Sequence, residues 1–172
     1  PQTGILDSIR FENDSLFIPI IINNLTGHKL PSGTSFSREA WLELLVTNST
    51  NDIIYEKGLI VNSSDQLDYS DESLMLYTTI LYDEDNHQGN IIHEASNALS
   101  YDDRTLRTLF YDTKTYSINL EVEPQSQQEF FIKARMLFRP FKPQMLDQFH
   151  PEASDYLPIM QMDTDSLTLI FP

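Results

Sequence analysis

The chain has no cysteine, only five glycines and a single tryptophan among its 172 residues. Without cysteine it can form neither a disulfide nor a thiolate nucleophile, and a domain of this size does not depend on disulfides to fold. No apolar run approaches the roughly 20 residues that a membrane-spanning helix needs. No charged stretch followed by an apolar stretch marks a signal peptide. Nucleophile elbows and phosphate-binding glycine loops are also missing, so we predict that the chain is not an enzyme.

Basic residues are scarce as well. Eleven Lys and Arg face 26 Asp and Glu, which gives a formal net charge of −15. Binding to nucleic acid or to anionic lipid requires a positive face, so both classes of partner are excluded. Hydrophobic residues make up 40% of the chain, which is enough for one core. We predict a single domain over residues 1–172, in which residues 1–14 could form an extended N-terminal arm.

Few segments have helical periodicity, whereas short runs of β-branched and aromatic residues recur between turn-rich stretches. In residues 116–122 the apolar side chains alternate strictly, and in residues 130–138 the even-numbered side chains are all apolar. We therefore predict an all-β fold, an antiparallel β-sandwich of Ig-like or jelly-roll-like type, with a short helix near the C-terminus. The predicted strands are 15–23, 40–47, 53–61, 74–82, 90–94, 116–122, 129–138 and 166–171. The predicted helices are 103–110 and 142–149, the second with Pro143 in its first turn.

Residues 24–41, NLTGHKLPSGTSFSREAW, contain most of the conformationally constrained positions of the chain. They lie between two predicted strands and are therefore predicted to form a loop. We expect Gly27 and Gly33 to supply positive φ on either side of His28, and Pro31 to stiffen the turn that follows. The histidine would then have little conformational freedom, as either a metal ligand or a structural hydrogen-bonding group requires.

Each prominent residue of this loop has an ordinary structural interpretation beside the functional one. His28 either bonds the loop backbone or ligates a metal, for which a haem iron is the best candidate. Arg38 would in the ordinary case pair with a nearby carboxylate, and Trp41 would simply belong to the core. The acidic run 101–104 either forms a local ion pair or contacts the loop.

The loop resembles the non-haem β-domain at the C-terminal end of many extracytoplasmic multihaem c-type cytochromes. In that family a strand leads into an N-x-x-G-H-x-x-P-[ST]-G loop, followed by an arginine and by a strand that carries tryptophan. The matching residues are Asn24, Gly27, His28, Pro31, Ser32, Gly33, Arg38 and Trp41. Weaker matches are IIYEKG at 53–58, FFIKARMLFRPFKP at 130–143 and LPIMQM at 157–162.

The resemblance implies that His28 is the distal axial ligand of a haem. Next to the haem it implies an apolar wall, formed by Leu30, Pro31, Phe36 and Trp41. It implies a structural role in the loop for Asn24, Gly27, Ser32, Gly33 and Arg38. The chain departs from the family in one large respect, because without a Cys-x-x-Cys-His motif it holds no covalently attached haem. Any haem c must then belong to a partner chain or to another part of the protein.

The function implied by the resemblance is that of an accessory β-domain, which packs against a haem-bearing cytochrome chain or segment and supports electron transfer. The implied location is extracytoplasmic, that is periplasmic, cell-surface or secreted, in a microbe. The alternative is a non-redox binding or assembly module of a surface or filament structure, in which edge strands pair with a neighbouring subunit. A third hypothesis is a hydrolase that uses clustered carboxylates.

One further candidate site lies in the acidic stretch 83–89. Asp83, Asp85 and His87 alternate before a glycine, an arrangement typical of a calcium loop, although the bidentate glutamate of an EF-hand is missing. A hairpin turn would explain the same residues. The remaining histidines, His93 and His150, have no partner at metal-ligand spacing in the sequence, so no zinc site is predicted.

Overall fold

The computed structural model describes residues 1–84, 95–120, 124–150 and 152–171. Within these ranges the chain forms short and medium-length strands and one short helix. The strands are β1 (Gln2–Ile5), β2 (Arg10–Glu12), β3 (Ser15–Asn23), β4 (Glu39–Asn48), β5 (Ile53–Lys57), β6 (Leu76–Tyr77), β7 (Thr79–Tyr82), β8 (Ser100–Asp103), β9 (Tyr111–Asn119), β10 (Glu129–Arg139) and β11 (Met160–Ile170). The helix is α1 (Pro143–Phe149), and single 3₁₀ turns lie at Ala95–Asn97 and Ala153–Tyr156.

Two antiparallel sheets form the sandwich. In the first, β3 is central and pairs with β1 and β2 on one side and with β9 on the other. The second sheet has the order β11-β10-β4-β5, and β6 also pairs with the start of β4. A separate two-stranded sheet joins β7 and β8. The predicted all-β sandwich with a short helix near the C-terminus is confirmed.

An apolar layer fills the space between the two sheets. Because side chains alternate along a strand, each strand contributes every second residue to this layer. The predicted inward face of β10 is confirmed, since its even-numbered residues 130–136 are buried there. Tyr116 and Ile118 of β9 are buried in the same layer and Leu120 packs against it, as predicted. β3 and β4 supply further members of the layer, which are Leu16, Ile18, Ile20, Ile22, Ala40, Leu42, Leu44 and Val46.

Part of the opposite face of the second sheet is buried too. There Trp41 packs in a smaller apolar cluster with Leu67, Leu74, Leu76 and Leu137. Gly58 closes β5 at this face with a φ of +68°, and a Cβ at this position would lie 2.5 Å from the Leu42 carbonyl oxygen. Only glycine fits such a position, which explains why the predicted strand 53–61 ends early, at Lys57.

Several element boundaries differ from the predictions. The predicted helix at 103–110 is wrong, because this segment leaves β8 and Leu106 forms a β-bridge with Leu30. The strand predicted at 74–82 is interrupted, and its halves pair with β4 and β8. β9 and β11 begin five and six residues before their predicted starts, and most of the added residues are exposed. The strand predicted at 90–94 lies outside the described residues. Residues 1–14 contain β1 and β2.

The helix prediction near the C-terminus is confirmed, with Pro143 in the first turn of α1. Among the described residues no helix has the length and apolar character needed to cross a membrane.

Candidate functional site: an exposed histidine on an anchored loop

The side chain of Asn24 makes several of the hydrogen bonds that hold the loop between β3 and β4. The side chain is fully buried. Its amide nitrogen Nδ2 lies within hydrogen-bond distance of three carbonyl oxygens, those of His28 (2.8 Å), Leu106 (3.0 Å) and Arg107 (3.1 Å). Its Oδ1 accepts from the hydroxyl of Thr26 at 2.7 Å. One asparagine therefore closes the turn before His28 and ties that turn to the segment in front of β9.

Two further contacts hold the same turn from the other side of His28. The backbones of Leu30 and Leu106 exchange a pair of hydrogen bonds, both of 2.9 Å. The Lys29 ammonium lies 2.7 Å from the carboxylate of Asp103. Hydrogen bonds from Lys29 and Thr105 lower the pKa of Asp103 to about 2. The five residues between Asn24 and Leu30 are thus fixed at both ends.

The second half of the loop is anchored to β7 and to the start of α1. The hydroxyls of Ser35 and Thr79 are 2.7 Å apart, and the carbonyl of Ser37 accepts from the Lys142 N–H at 2.8 Å. Arg38 donates to the Ser32 carbonyl at 2.7 Å, and no carboxylate among the described residues pairs with it. The whole connection is therefore a rigid structure with many hydrogen bonds.

Gly33 is needed for the Arg38 contact. Its φ is +72°, and a Cβ there would lie 3.0 Å from the Nη1 atom of Arg38. The expected positive φ is confirmed at Gly33, whereas Gly27 is not among the residues with positive φ. A Cβ at Gly27 would meet nothing within 4 Å. The space above Gly27, next to His28, is open.

The His28 ring is exposed. Its Nδ1 atom lies 3.0 Å from the carbonyl oxygen of Lys29. The Thr26 hydroxyl lies 3.3 Å from the same Nδ1 atom. Because a carbonyl oxygen only accepts hydrogen bonds, the shorter Lys29 contact favours the tautomer in which Nδ1 carries the proton and Nε2 the lone pair. No hydrogen-bond partner of Nε2 lies among the described residues. This is the arrangement of a metal-ligating histidine, in which a carbonyl orients the ring and the second nitrogen is available.

Exposed apolar side chains surround this loop. Leu25 precedes the turn, and the Asn24 N–H bonds the carbonyl of Phe110 at 2.8 Å, which brings residues 109–111 to its side. Leu109 is 75% exposed although its φ is +55°, a conformation that is unfavourable for a bulky residue. Phe110 and Tyr111 stack with ring centroids 6.0 Å apart, and both are mostly exposed. Exposed apolar clusters of this kind mark contact surfaces.

The residues of the predicted apolar wall lie at different depths. Leu30 and Pro31 are buried and Phe36 is half-buried. Trp41 has no exposed surface, and its Nε1 donates to the Gly58 carbonyl at 2.9 Å. Leu25, Leu109, Phe110 and Tyr111 form the exposed apolar rim instead. Sequence reasoning missed them because residues 109–111 are more than 80 positions away from the loop that they flank.

A buried charged network beneath the loop was also missed. Glu39 and Arg139 form an ion pair in which neither side chain is exposed. The Tyr69 hydroxyl donates to Glu39 at 2.8 Å, and the Lys142 ammonium lies 4.9 Å from the centre of the Tyr69 ring. Lys142 donates to the Thr79 carbonyl at 3.0 Å, beside the loop anchor at Ser35. The sequence signal was weak, namely the presence of charged residues within otherwise apolar strands.

Burial controls the protonation of this network. Desolvation lowers the pKa of Lys142 to about 8, and the positive charges of Arg104 and Arg139 act in the same direction, while Glu39 opposes them. Desolvation and the neighbouring Glu39 carboxylate raise the pKa of Tyr69. Near neutral pH the tyrosine therefore keeps its proton and donates it to Glu39 in a hydrogen bond.

Residues 101–104 form both the local ion pair and the contact with the loop that were considered for them. Arg104 pairs with Asp102 at 2.6 Å, whereas Asp103 contacts Lys29 of the loop. Two of the three residues of the predicted calcium site, Asp85 and His87, lie outside the described residues. Asp83 is described, and the part of the chain that the structure describes contains no cluster of three or more His, Cys, Asp or Glu suited to a metal ion.

Comparison with known proteins found a likeness of fold to a haem protein. No protein-family model and no curated protein matches the sequence. A structural match does exist. The penta-heme cytochrome c552 from Thermochromatium tepidum superposes with a TM-score of 0.70 at 13% sequence identity. The match covers 98% of this chain and 38% of the cytochrome, so the chain spans well under half the length of that protein. At this identity the likeness establishes a common fold.

Proposed function

We propose that the chain is the accessory β-domain of a multihaem cytochrome assembly, and that His28 is an axial ligand of a haem carried by a partner chain or by another segment of the protein. The observation that carries this proposal is the His28 ring. It is exposed, and its Nδ1–H donates to the Lys29 carbonyl so that the Nε2 lone pair is available.

The rigidity of the loop supports this role. An axial ligand must hold its ring at a fixed position, because a mobile histidine loses conformational entropy when it binds iron. Asn24, Leu30 and Lys29 fix the turn on both sides of the histidine. If His28 served only to bond the loop backbone, its ring would not need to be presented outward on so well anchored a turn.

The surroundings fit a porphyrin, which is large, flat and apolar. Gly27 leaves open space beside the ring. The exposed side chains Leu25, Leu109, Phe110 and Tyr111 offer apolar surface to a neighbouring group. Because the chain has no cysteine, the haem itself must be attached elsewhere. When bound, the haem supplies one-electron chemistry, and the residues of this chain bind it, orient it and exclude water from it.

The proposed partner is therefore a haem-bearing cytochrome chain or segment. The match covers only 38% of the penta-heme cytochrome. This supports the proposal that the chain is one domain that packs against haem-bearing parts. The proposed location is extracytoplasmic, since c-type cytochromes with this accessory domain are found there. The role is not enzymatic.

The test uses a soluble c-type haem peptide that has one histidine ligand and an open sixth position. Titration with the purified chain should shift the Soret and visible bands from the high-spin to the low-spin bis-histidine form. The apolar rim should make binding at least about tenfold tighter than that of free imidazole, a difference of about 1.4 kcal/mol. His28→Ala should abolish the spectral change.

His150→Ala is the matched control, because it also removes one exposed histidine and should leave the titration unchanged. A low-spin shift of undiminished size in the His28→Ala variant would contradict the proposal. Wild-type binding no tighter than that of free imidazole would contradict the role of the apolar rim. In the assembly purified from its native source, His28→Ala should likewise convert one low-spin haem to the high-spin form.

A further inference from the structure

β9 has one paired and one unpaired edge. Among the described strands it pairs with β3 alone. The Asn24 N–H bonds the Phe110 carbonyl at 2.8 Å, and the Leu120 N–H bonds the Asp14 carbonyl at 3.0 Å. Both bonds join an even-numbered residue of this segment to the β3 side. Hydrogen-bonded residues alternate along an antiparallel strand, so the even-numbered residues of β9 bond to β3. The odd-numbered ones direct their N–H and C=O groups away from β3. Outward-directed groups without a backbone partner in the described chain belong to Tyr111, Thr113, Thr115 and Ser117.

The edge on the opposite side of the same sheet is covered. The N–H of Thr3 in β1 bonds the carboxylate of Asp163, and the N–H of Ile5 bonds that of Asp165 at 2.8 Å. Soluble proteins usually protect an edge strand in such a way, or with an outward-pointing lysine. The lysine of β9 gives no such protection, because the ammonium of Lys114 is bonded to the Glu72 carbonyl. Within residues 1–84, 95–120, 124–150 and 152–171, no strand pairs with the outer edge of β9.

The space beside this edge is open. A groove of about 380 Å³ lies between the first half of β9 and the segments before β6 and after β8. Asp112, Thr113 and Lys114 form its wall on the β9 side. On β9 itself, Tyr111, Thr113, Thr115 and Ser117 are all exposed.

The sequence of β9 is self-complementary in one register. If two copies pair antiparallel about a two-fold axis through Thr113, Asp112 of each copy lies opposite Lys114 of the other. In the pair these two charges would exchange their contacts with Tyr77 and Glu72 of their own chain for contacts with each other. Phe110 then lies opposite Tyr116. An axis through Thr115 would instead place Asp112 opposite Ile118, with no charge matched. Only the Thr113 register pairs both charges.

We propose that β9 is a docking edge for a second copy of this chain, joined across Thr113 into one continuous sheet. Thr113 is an odd-numbered residue, so the two copies exchange hydrogen bonds at the axis. Seven residues of each copy, 110–116, take part. An interface of this size is small, so the association should be weak, with a Kd in the micromolar range or above. The proposal does not require haem binding, although Phe110 and Tyr111 belong both to this segment and to the apolar rim beside His28.

The absence of cysteine allows a direct test by crosslinking. With Thr113→Cys, the two new thiols would face each other at a Cα distance of about 5.5 Å, which a disulfide can bridge. Mild oxidation should therefore give a covalent dimer. Ser117→Cys is the matched control on the same exposed face. Residue 117 of one copy would lie opposite residue 109 of the other, so its thiols would be about 26 Å apart and should not link.

A second measurement needs no thiol. Sedimentation at rising concentration should show a monomer–dimer equilibrium for the wild type and for Ser117→Lys. Thr113→Lys places like charges opposite each other at the axis and should weaken association at least tenfold. A wild type that stays monomeric at millimolar concentration overturns the proposal. Faster crosslinking by Ser117→Cys or Thr115→Cys than by Thr113→Cys overturns the register and with it the proposed site.

Discussion

The two faces of β4 and β10 are built from different chemistry. The outer face is buried only around Trp41, Leu137 and the ion pairs, whereas Phe131 and Lys133 on the same face are exposed. The face toward β3 is entirely apolar and includes Leu42, Leu44, Ile132 and Met136. On the other face, charged residues stand directly opposite one another across the two strands. The pairs are Glu39 with Arg139 and Glu43 with Arg135. The same pair of strands thus faces an apolar core on one side and buried ion pairs on the other.

The apolar face and the charged face make different contributions to the structure. Apolar burial has no direction, so the inner face stabilises the sandwich without specifying fine geometry. Buried charges tolerate only arrangements in which each one has its partner. The charged face reaches through Lys142 to the Ser37 and Thr79 anchors of the His28 loop. We infer that the apolar face holds the sheets together and the charged face fixes the position of the loop.

The largest effect should come from breaking the deepest ion pair. Arg139→Met leaves the Glu39 carboxylate buried without its counterion, and we expect a loss of about 3–5 kcal/mol in the free energy of unfolding. Urea denaturation at pH 7 measures it. The double variant Glu39→Gln/Arg139→Met removes both charges and keeps an acceptor for Tyr69, so it should recover at least half of the loss. A double variant as unstable as the single one would contradict this account.

A cavity in the apolar face should cost slightly less. Ile132 is 1% exposed, and Ile132→Ala should lower the free energy of unfolding by about 2–4 kcal/mol. Ile132→Val is the matched control, with an expected loss of about 1 kcal/mol. Because no charge is involved, both losses should be the same at pH 7 and pH 9. A loss that varies with pH would show that the two faces are not independent.

The charged face should instead make stability depend on pH. The pKa of Lys142 is about 8 in the folded protein and near 10.5 when unfolded. Between these values the unfolded chain binds more protons, so the free energy of unfolding should rise with pH, by about 1–2 kcal/mol from pH 8 to 9.5. Tyr69, whose folded pKa is raised, acts in the opposite sense only at higher pH. Lys142→Met should abolish the rise, and an unchanged rise in this variant would exclude Lys142 as its source.

Much of the apolar face could be predicted from the sequence, because it depends on a local pattern. Alternation along residues 116–120 and 130–136 identifies the inward side chains without knowledge of the strand order. The loop was located in the same way, since Pro31 and Gly33 break the pattern between two strands. Asn24 and His28 stood out by type, but nothing local revealed that Asn24 bonds Leu106 and Arg107.

The charged face could not be predicted, because it depends on register. Glu39 and Arg139 are 100 positions apart, and only the pairing of β4 with β10 brings them together. The spacing of the charged residues is consistent with two ion pairs between antiparallel strands. Glu39 and Glu43 are four residues apart in β4, and Arg135 and Arg139 are four apart in β10, as two antiparallel ladder pairs require. The helix predicted at 103–110 failed for a related reason, since the partner of Leu106 is the distant Leu30.

The smallest effect should come from the shallower of the two ion pairs. Glu43 and Arg135 form a two-pronged contact with bonds of 2.7 and 2.8 Å, but the arginine side chain remains 32% exposed. Water can replace the arginine, but the Glu43 side chain is only 3% exposed and would lose its counterion. Arg135→Met should therefore lower the free energy of unfolding by about 1–2 kcal/mol, less than Arg139→Met, and the loss should be smaller in 1 M salt. Denaturation at two salt concentrations tests this. If Arg135→Met cost as much as Arg139→Met, depth of burial would not be what distinguishes the two pairs, and the special role of Arg139 beneath the loop would lose its physical basis.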